Sequence, residues 1–316
     1  MMHLWTQMRS LSLRMAVKSF EPRAKCTTSV YSSNQLNISD IYSFTTYNAN
    51  GLAGQGSPVL GELCQSAYSA NNSADNYNNN NAFILIQEHW LTPASMHLIE
   101  RFHNDYTAFG VSAMEGAVGR SVLCGRPFGG VSTLVRGDFL KNVKCLKKFE
   151  RFVILLFCNI IILNVYLLYK CGGSSNLLIS TLEEIDLTLA LYSDCVIVCG
   201  GDFNCEIFSA DDHHSRIINK FMSSHDLVLC NNYIKPNCNY TYMHKTLERK
   251  SMVDYFIISS KLVPGLIRNC VRDEIVNLSD HFPVSISITL PVSPNFFIAP
   301  PPPPPGYIGR GVGSPS

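Results

Sequence analysis

Polar residues able to do chemistry stand at the ends of apolar runs along the middle of this chain. Asn48 and Asn50 follow a first run, IYSFTTYN, that starts at Ile41. Glu88 closes FILIQE and Tyr166 closes IIILNVY. Asp202 and Asn204 follow VIVCGG, Asp254 lies inside SMVDYFIIS, and Asp280 and His281 stand just before a last run from Val284. Acids, amides, one imidazole and one phenol at several strand ends make up the set that phosphodiester hydrolysis needs. Carboxylates hold a hard cation such as Mg²⁺, which prefers oxygen ligands. The cation and a neutral or positive donor stabilise negative charge on the transferring phosphorus. A further carboxylate orients or deprotonates the attacking water.

Taken singly, each residue has a plainer explanation. Asp202 after two glycines and Asn48-Ala-Asn50-Gly51 both suit turns. Glu88 suits a solvated strand end, and Tyr166 suits a core position. Asp254 inside a strand is harder to dismiss, because a buried carboxylate is costly without a partner. Two rival clusters have plain explanations too. Asp211-Asp212-His213-His214 could bind a transition metal, but acids are favoured where a helix begins, and one is expected there. The basic stretch Lys141–Arg151 could touch a nucleic-acid backbone, but it reads better as a solvated strand or loop face.

The elements that must position these residues follow from the hydrophobic pattern. Strands are expected at Ile41–Asn48, Phe83–Ile86, 131–135, Cys195–Cys199, Tyr240–Met243, Val253–Ser259 and Val284–Leu290. Phe152–Tyr169 is almost wholly apolar, but Asn159, Asn164 and its β-branched residues favour a buried hairpin over a membrane span. That hairpin has strands Phe152–Phe157 and Ile160–Tyr166 with a tight turn at Cys158-Asn159. Helices are expected over Ser57–Ala70, around Ser95–His103, over Asn176–Tyr192 and over Asp212–Ser224. Many short strands with few helices predict an α/β fold, a four-layer α/β sandwich of two packed mixed β-sheets flanked by helices. Residues 1–40 read as a disordered leader, 41–291 as the domain, the Asn tract at 71–81 as an exposed loop insertion, and 292–316 as a Pro/Gly-rich tail.

Bulk properties narrow the function. The chain has 316 residues, 46% hydrophobic, and a formal net charge of +1. A broad basic surface for nucleic acid is excluded, so any such attraction must come from a local patch or from bound cations. The 12 cysteines are scattered without a C-x-x-C pair, and several sit in apolar runs, as in a reduced intracellular protein. A nuclear or cytoplasmic location is expected. Arg9, Arg14 and Lys18 before the first acid at Glu21 match a mitochondrial transit peptide weakly, and an unstructured leader accounts for them as well.

The run of motifs YNANGL, LIQEHWL, GGVSTLV, NVY, GGDFN, SMVDYFIIS and LSDHFPV over about residues 41–290 resembles the endonuclease/exonuclease/phosphatase superfamily. Within it, the chain resembles most the endonuclease domains of non-LTR retrotransposons. The resemblance implies Mg²⁺ as cofactor, with Mn²⁺ as a substitute, and DNA as the substrate, nicked to leave a 3′-hydroxyl. It implies Glu88 as principal metal ligand assisted by Asn48. Asn50 stands where the repair enzymes of the superfamily usually carry an acid, and Asp280 is an outer or second-metal ligand. Asp202 would orient or deprotonate water, and Asn204 would position that water or hold a phosphate oxygen. His281 would contact the scissile phosphate with Asp254 bonded to its ring. Tyr166 would bond a phosphate oxygen or stabilise the leaving group. One departure is that NVY runs into LLYKCGG without the usual Pro. A reverse transcriptase domain normally follows such an endonuclease, whereas this sequence ends in a Pro/Gly tail. No membrane and no obligate protein partner are expected. The alternatives are a phosphatase of the same fold acting on phosphoinositides or other small phosphate esters, and an inactive remnant that only binds.

Overall fold

In a computed structural model, the described residues are 41–52, 57–65, 81–118, 126–169, 174–209, 212–273, 277 and 279–290. The expected leader, the tail and all but the last residue of the Asn tract lie outside them. Along the chain run β1 (Ile41–Asn48), α1 (Ser57–Gln65), β2 (Asn81–Gln87), β3 (Tyr106–Val111), β4 (Val131–Arg136), β5 (Val143–Phe149), β6 (Phe152–Phe157) and β7 (Ile160–Tyr166). There follow α2 (Ser174–Leu189), β8 (Val196–Asp202), α3 (His213–Ser224), β9 (Leu227–Leu229), β10 (Tyr242–Met243), β11 (Lys250–Ser251), β12 (Asp254–Ser259), β13 (Leu266–Val271) and β14 (Val284–Thr289).

Twelve of these strands form two six-stranded sheets, ordered β13-β14-β1-β2-β4-β3 and β5-β6-β7-β8-β12-β9. Each is mixed, with one parallel pair, β1–β2 in the first and β7–β8 in the second. Parallel neighbours need a crossover, and α1 and α2 lie in the two crossovers. Alternate side chains of the central strands go to different layers. Phe83 and Leu85 of β2, Val153, Leu155 and Phe157 of β6, and Phe256 and Ile258 of β12 fill the space between the sheets. Ile84 and Ile86 pack with Val59, Leu60 and Leu63 of α1. Ile154, Ile161, Leu163 and Ile257 pack with α2 and α3 residues such as Leu178, Ile185 and Ile218. The four-layer sandwich expected from the pattern is therefore present. Because β6 and β7 are covered on both faces, they read as one apolar run, which explains their membrane-like composition. Among the described residues, no helix is long and apolar enough to cross a membrane.

Some expectations need correction. The helix around Ser95–His103 is only a 3₁₀ turn at Pro93–Ser95 and one turn at His97–Glu100. Asp212 caps α3, its side chain accepting from the His214 N–H at 2.7 Å, so it begins the helix as expected. Strands β3, β9, β11 and β13 escape the sequence pattern, and the basic stretch at Lys141–Arg151 holds strand β5.

Aromatic packing ties the sheets together. Phe83, fully buried, stacks on Phe44 at 5.1 Å and meets Phe157 of the other sheet edge-on at 5.3 Å. Truncating such a ring leaves a cavity that the surrounding strands cannot collapse into. Phe83→Ala is expected to lower unfolding stability by about 3–5 kcal/mol, read from urea denaturation; a loss below about 1 kcal/mol would show that the inter-sheet core does not depend on this ring.

Candidate active site

The direction of the strands places every candidate residue at one rim. Strands β1, β2, β7 and β8 end there, at Asn48, Gln87, Tyr166 and Asp202, while β12 and β14 begin there after antiparallel pairing. Beyond their last paired residues, β1 and β2 stay zipped. Ala49 N–H donates to Gln87 O (2.9 Å), Gly51 N–H to Glu88 O (2.8 Å) and Leu52 N–H to His89 O (3.1 Å). These bonds hold Asn50, Glu88 and Trp90 in left-handed backbone conformations, with φ of 47°, 49° and 54°. On the second sheet, a Cβ at Gly201 would lie 1.9 Å from the Val165 carbonyl oxygen. Only glycine lets β8 press against β7 at this point, one residue before Asp202.

Hydrogen bonds connect the side chains across the two sheets. The Asn48 amide donates to Glu88 Oε1 (3.2 Å) and to Asp202 Oδ2 (2.9 Å), and its Oδ1 accepts from the Asn50 N–H (3.1 Å). Asn50 Nδ2 donates to Asp280 Oδ1 at 2.8 Å. Asn204 donates its backbone N–H to Asp202 Oδ1 (2.8 Å), and its Nδ2 donates to Asp202 Oδ2 (3.1 Å) and Leu167 O (2.9 Å). Tyr166 hydrogen-bonds Glu88. His281 Nδ1 bonds Asp254 Oδ2 at 2.9 Å, which leaves Nε2 for another partner. Asp202, Asp254 and His281 are all buried and offer ligand atoms within 4.8 Å of one another. All nine residues singled out in the sequence thus meet at one place.

Electrostatics sharpen their differences. Burial and the neighbouring Asp254 raise the Asp202 pKa to about 7, against the opposing pull of His281 and the Asn48 amide. For His281, burial disfavours the imidazolium, but Asp254, Asp202 and Asp280 outweigh it and lift its pKa to about 10. His281 is therefore cationic at neutral pH. Tyr166 is pushed well above the usual phenol range by burial and by Glu88, so it stays a hydrogen-bond donor.

Several supporting residues were not visible in the sequence. Trp90 Nε1 donates to Glu88 Oε2 at 2.9 Å. Thr241 Oγ1 accepts from the N–H groups of Val253 and Asp254 at 3.1 and 3.0 Å, which fixes the start of β12. Ser279 donates its hydroxyl to Asn48 O (3.0 Å) and accepts from the His281 N–H (3.1 Å). Beneath the rim, Gln87 Nε2 donates to Asn164 Oδ1 at 2.7 Å, joining the sheets, and both side chains are fully buried. His89, which follows Gln87 and Glu88 at the end of an apolar run, gave no such signal in the sequence.

Comparison with known proteins bears on the fold. No family model and no curated protein sequence matches the chain. Solved structures do. The AP endonuclease LMAP from Leishmania major superposes with a TM-score of 0.59 at 15% identity, over 81% of this chain and 90% of that one. An AP endonuclease from Archaeoglobus fulgidus gives 0.59 at 14%, over 79% and 100%. The 3′ phosphatase NExo from Neisseria, bound to a product DNA hairpin, gives 0.58 at 15%, over 79% and 100%. The fold is the endonuclease/exonuclease/phosphatase sandwich. In this sandwich the nine residues occupy the strand-end rim, where Asn48, Asp202, Asp254 and His281 are buried and Asn50, Glu88, Tyr166, Asn204 and Asp280 are half-buried.

His89 supplies a test of how the rim is held. Its Nδ1 accepts from the Leu91 N–H at 3.0 Å, so its Nε2–H donates to Val111 O at 3.1 Å, and the ring is neutral. Gly130, with φ +87°, makes room for it, since a Cβ there would sit 2.3 Å from the ring. Burial lowers the His89 pKa to about 4 from 6.5. A depressed folded-state pKa means that the unfolded chain takes up a proton first. The stability from this group is therefore fully present above pH 6.5 and is lost as pH falls towards 4. Its upper size is about 3 kcal/mol. His89→Gln is expected to flatten the stability difference over this window in urea unfolding at pH 6.5, 5.5 and 4.5; parallel wild-type and variant curves would show that His89 does not titrate in this way.

Proposed function

We propose that the chain is a divalent-cation-dependent phosphodiesterase that nicks DNA and leaves a 3′-hydroxyl, derived from a non-LTR retrotransposon endonuclease. The observation that carries this reading is the single hydrogen-bonded set joining Glu88, Asn48, Asp202, Asn204 and Tyr166 at the rim where Asp254 and His281 also meet. The solved structures named above are two AP endonucleases and a 3′ phosphatase bound to a DNA product, which supports a hydrolytic enzyme acting on DNA.

The donor set suits Mg²⁺ or Mn²⁺. The carboxylates of Glu88 and Asp280 and the side-chain carbonyls of Asn48 and Asn50 are all hard oxygen donors, the type these cations prefer. Glu88 would be the principal ligand, with Asn48, Asn50 and Asp280 around it, because the cationic His281 and its bonded Asp254 are engaged with each other. When bound, the cation would supply charge stabilisation for the phosphoryl oxygens. The chain's own groups do the rest. Asp202, near neutral pKa and fixed by Asn48 and Asn204, takes a proton from the attacking water. His281 donates Nε2–H to a phosphate oxygen. Asp254 holds the ring in the right tautomer. Tyr166 remains protonated and can donate to a phosphate or leaving oxygen. Water adds at phosphorus as its proton passes to Asp202, the P–O3′ bond breaks, and the departing O3′ takes a proton from solvent to become the 3′-hydroxyl.

Supercoiled plasmid nicking tests the reading. Wild-type protein with Mg²⁺ is expected to give open circles with ligatable 3′-hydroxyl ends, and EDTA is expected to abolish the activity. Asp202→Asn and His281→Ala should each lower the rate by about 100-fold or more. Wild-type rates in both variants would remove the roles assigned here. Release of inorganic phosphate from inositol phosphates without nicking would instead favour the small-ester phosphatase.

A further inference from the structure

Glu88 is bracketed by two aromatic side chains that both hydrogen-bond it, Trp90 from the first sheet and Tyr166 from the second. Each aromatic face carries a guanidinium. Arg126 Cζ stands 4.2 Å from the Trp90 ring centre, and Arg151 Cζ stands 5.1 Å from that of Tyr166. Arg126 belongs to the segment leading into β4, and Arg151 to the turn leading into β6. These strands neighbour β2 and β7 on the side away from β14 and β12, where His281 and Asp254 enter. The two arginines therefore reach the rim from different sheets, one over Trp90 and one over Tyr166, so that each sheet forms one bank.

Their hydrogen-bonding capacity is unspent. Arg136 shows what an engaged arginine looks like in this protein, with Nε and a terminal nitrogen on the two oxygens of Asp138 at 2.7 and 2.8 Å. Among the described residues, neither Arg126 nor Arg151 has a carboxylate partner, and Arg151 Nε is buried with no hydrogen-bond partner. A lone buried donor is costly unless an acceptor arrives. Arg151 is also held in place, because its carbonyl accepts the Tyr166 N–H at 2.8 Å. A guanidinium lying on an aromatic face keeps its in-plane N–H groups free for a planar or tetrahedral anion. The four carboxylates of the site would repel a polyanion, and a net charge of +1 gives no general attraction.

We propose that Arg126 and Arg151 form a clamp, one arginine on each bank, for a backbone phosphate next to the cleaved linkage. The substrate class is then an extended phosphodiester strand, since a small phosphate monoester has no second phosphate to occupy the clamp. This rests on the endonuclease reading for which linkage is cut, but the clamp itself is a binding site and can be read without cleavage.

The experiment measures binding of a fluorescein-labelled DNA duplex in Ca²⁺ at several salt concentrations. Wild type is compared with Arg126→Gln/Arg151→Gln, each single variant, and Lys220→Gln as a control for loss of one exposed charge on α3. Losing the one clamped phosphate should lower the slope of log K against log salt by about 0.9 in the double variant, and by less in each single variant. In a second arm, neutral methylphosphonates replace one linkage at a time in the duplex. Wild type is expected to lose about tenfold in binding at one linkage beside the cleaved one, and the double variant to lose nothing there. This scan needs only wild-type protein to locate the contact, so a poorly folding variant does not block the test. An unchanged slope in the double variant, or a wild type indifferent to every methylphosphonate, overturns the clamp. The expected slopes in a protein that nicks nothing would uphold the clamp and remove the endonuclease reading.

Discussion

The rim is drawn from two sheets, so its geometry depends on how those sheets are registered against each other. One buried amide pair does most to fix that. Gln87 sits at the end of β2, one residue before Glu88, and Asn164 sits on β7, two residues before Tyr166. Their side chains bond at 2.7 Å. Asn164 Nδ2 also donates to the Ile86 and Ser132 carbonyls at 3.2 and 3.0 Å, and Gln87 bonds Thr46. Apolar packing between sheets is non-directional and tolerates sliding. A buried amide network tolerates little, because any slip strands a polar group without a partner. Glu88 and Tyr166 can therefore meet reliably across the interface, and Asn48 can reach from the first sheet to Asp202 on the second.

The site's charges form a second constraint that follows from the first. Asp202 and Asp254 are register partners on β8 and β12 and both are buried. Two carboxylates so placed cannot both ionise cheaply. The protein answers with a cationic His281 on one side and amide donors on the other, which leaves Asp202 near neutrality while Asp254 is tied to the imidazole. One buried pair thereby acquires two different sets of partners, an imidazole for Asp254 and amide groups for Asp202.

What could be read from the sequence divides along a physical line. Central strands such as β2, β6, β7, β8 and β12 are covered on both faces and write themselves as apolar runs, and the turn at Cys158-Asn159 separates β6 from β7 as expected. Within the two large sheets, the strands that escaped, or stayed open between strand and loop, are β3, β5, β9 and β13. These are the four outer strands of the two sheets. An edge strand is half covered, and its pairing runs through backbone groups that carry no side-chain signature; β5 even bears the lysines that discourage further pairing. The same division holds at the rim. Residues that break an apolar run with a charge or amide were legible. Trp90, Thr241 and Ser279 were not, because each is an ordinary residue type whose role comes from what folding brings beside it. Asn164 was noticed as an obstacle to a membrane span and as the first residue of the NVY motif, but its role in joining the sheets was not legible.

The rim also carries backbone strain that the rest of the fold must offset. Asn50, Glu88, Trp90 and Asn204 all adopt left-handed conformations, and each such non-glycine residue costs on the order of 1 kcal/mol or more. Asn tolerates this region, whereas Glu and Trp do so poorly. Two of the four are therefore there by constraint. The carbonyls of Glu88 and His89 accept from Gly51 and Leu52, and the Trp90 N–H donates to Gly129 O at 3.0 Å. A regular strand continuation through Glu88 would break these bonds. It would also turn the carboxylate away from Asn48, Trp90 and Tyr166. Such strain is affordable only because the strands beneath are buried on both sides. The layered core and the bent rim are thus parts of one arrangement, in which apolar excess below holds chemical groups above in positions that they would not take unaided.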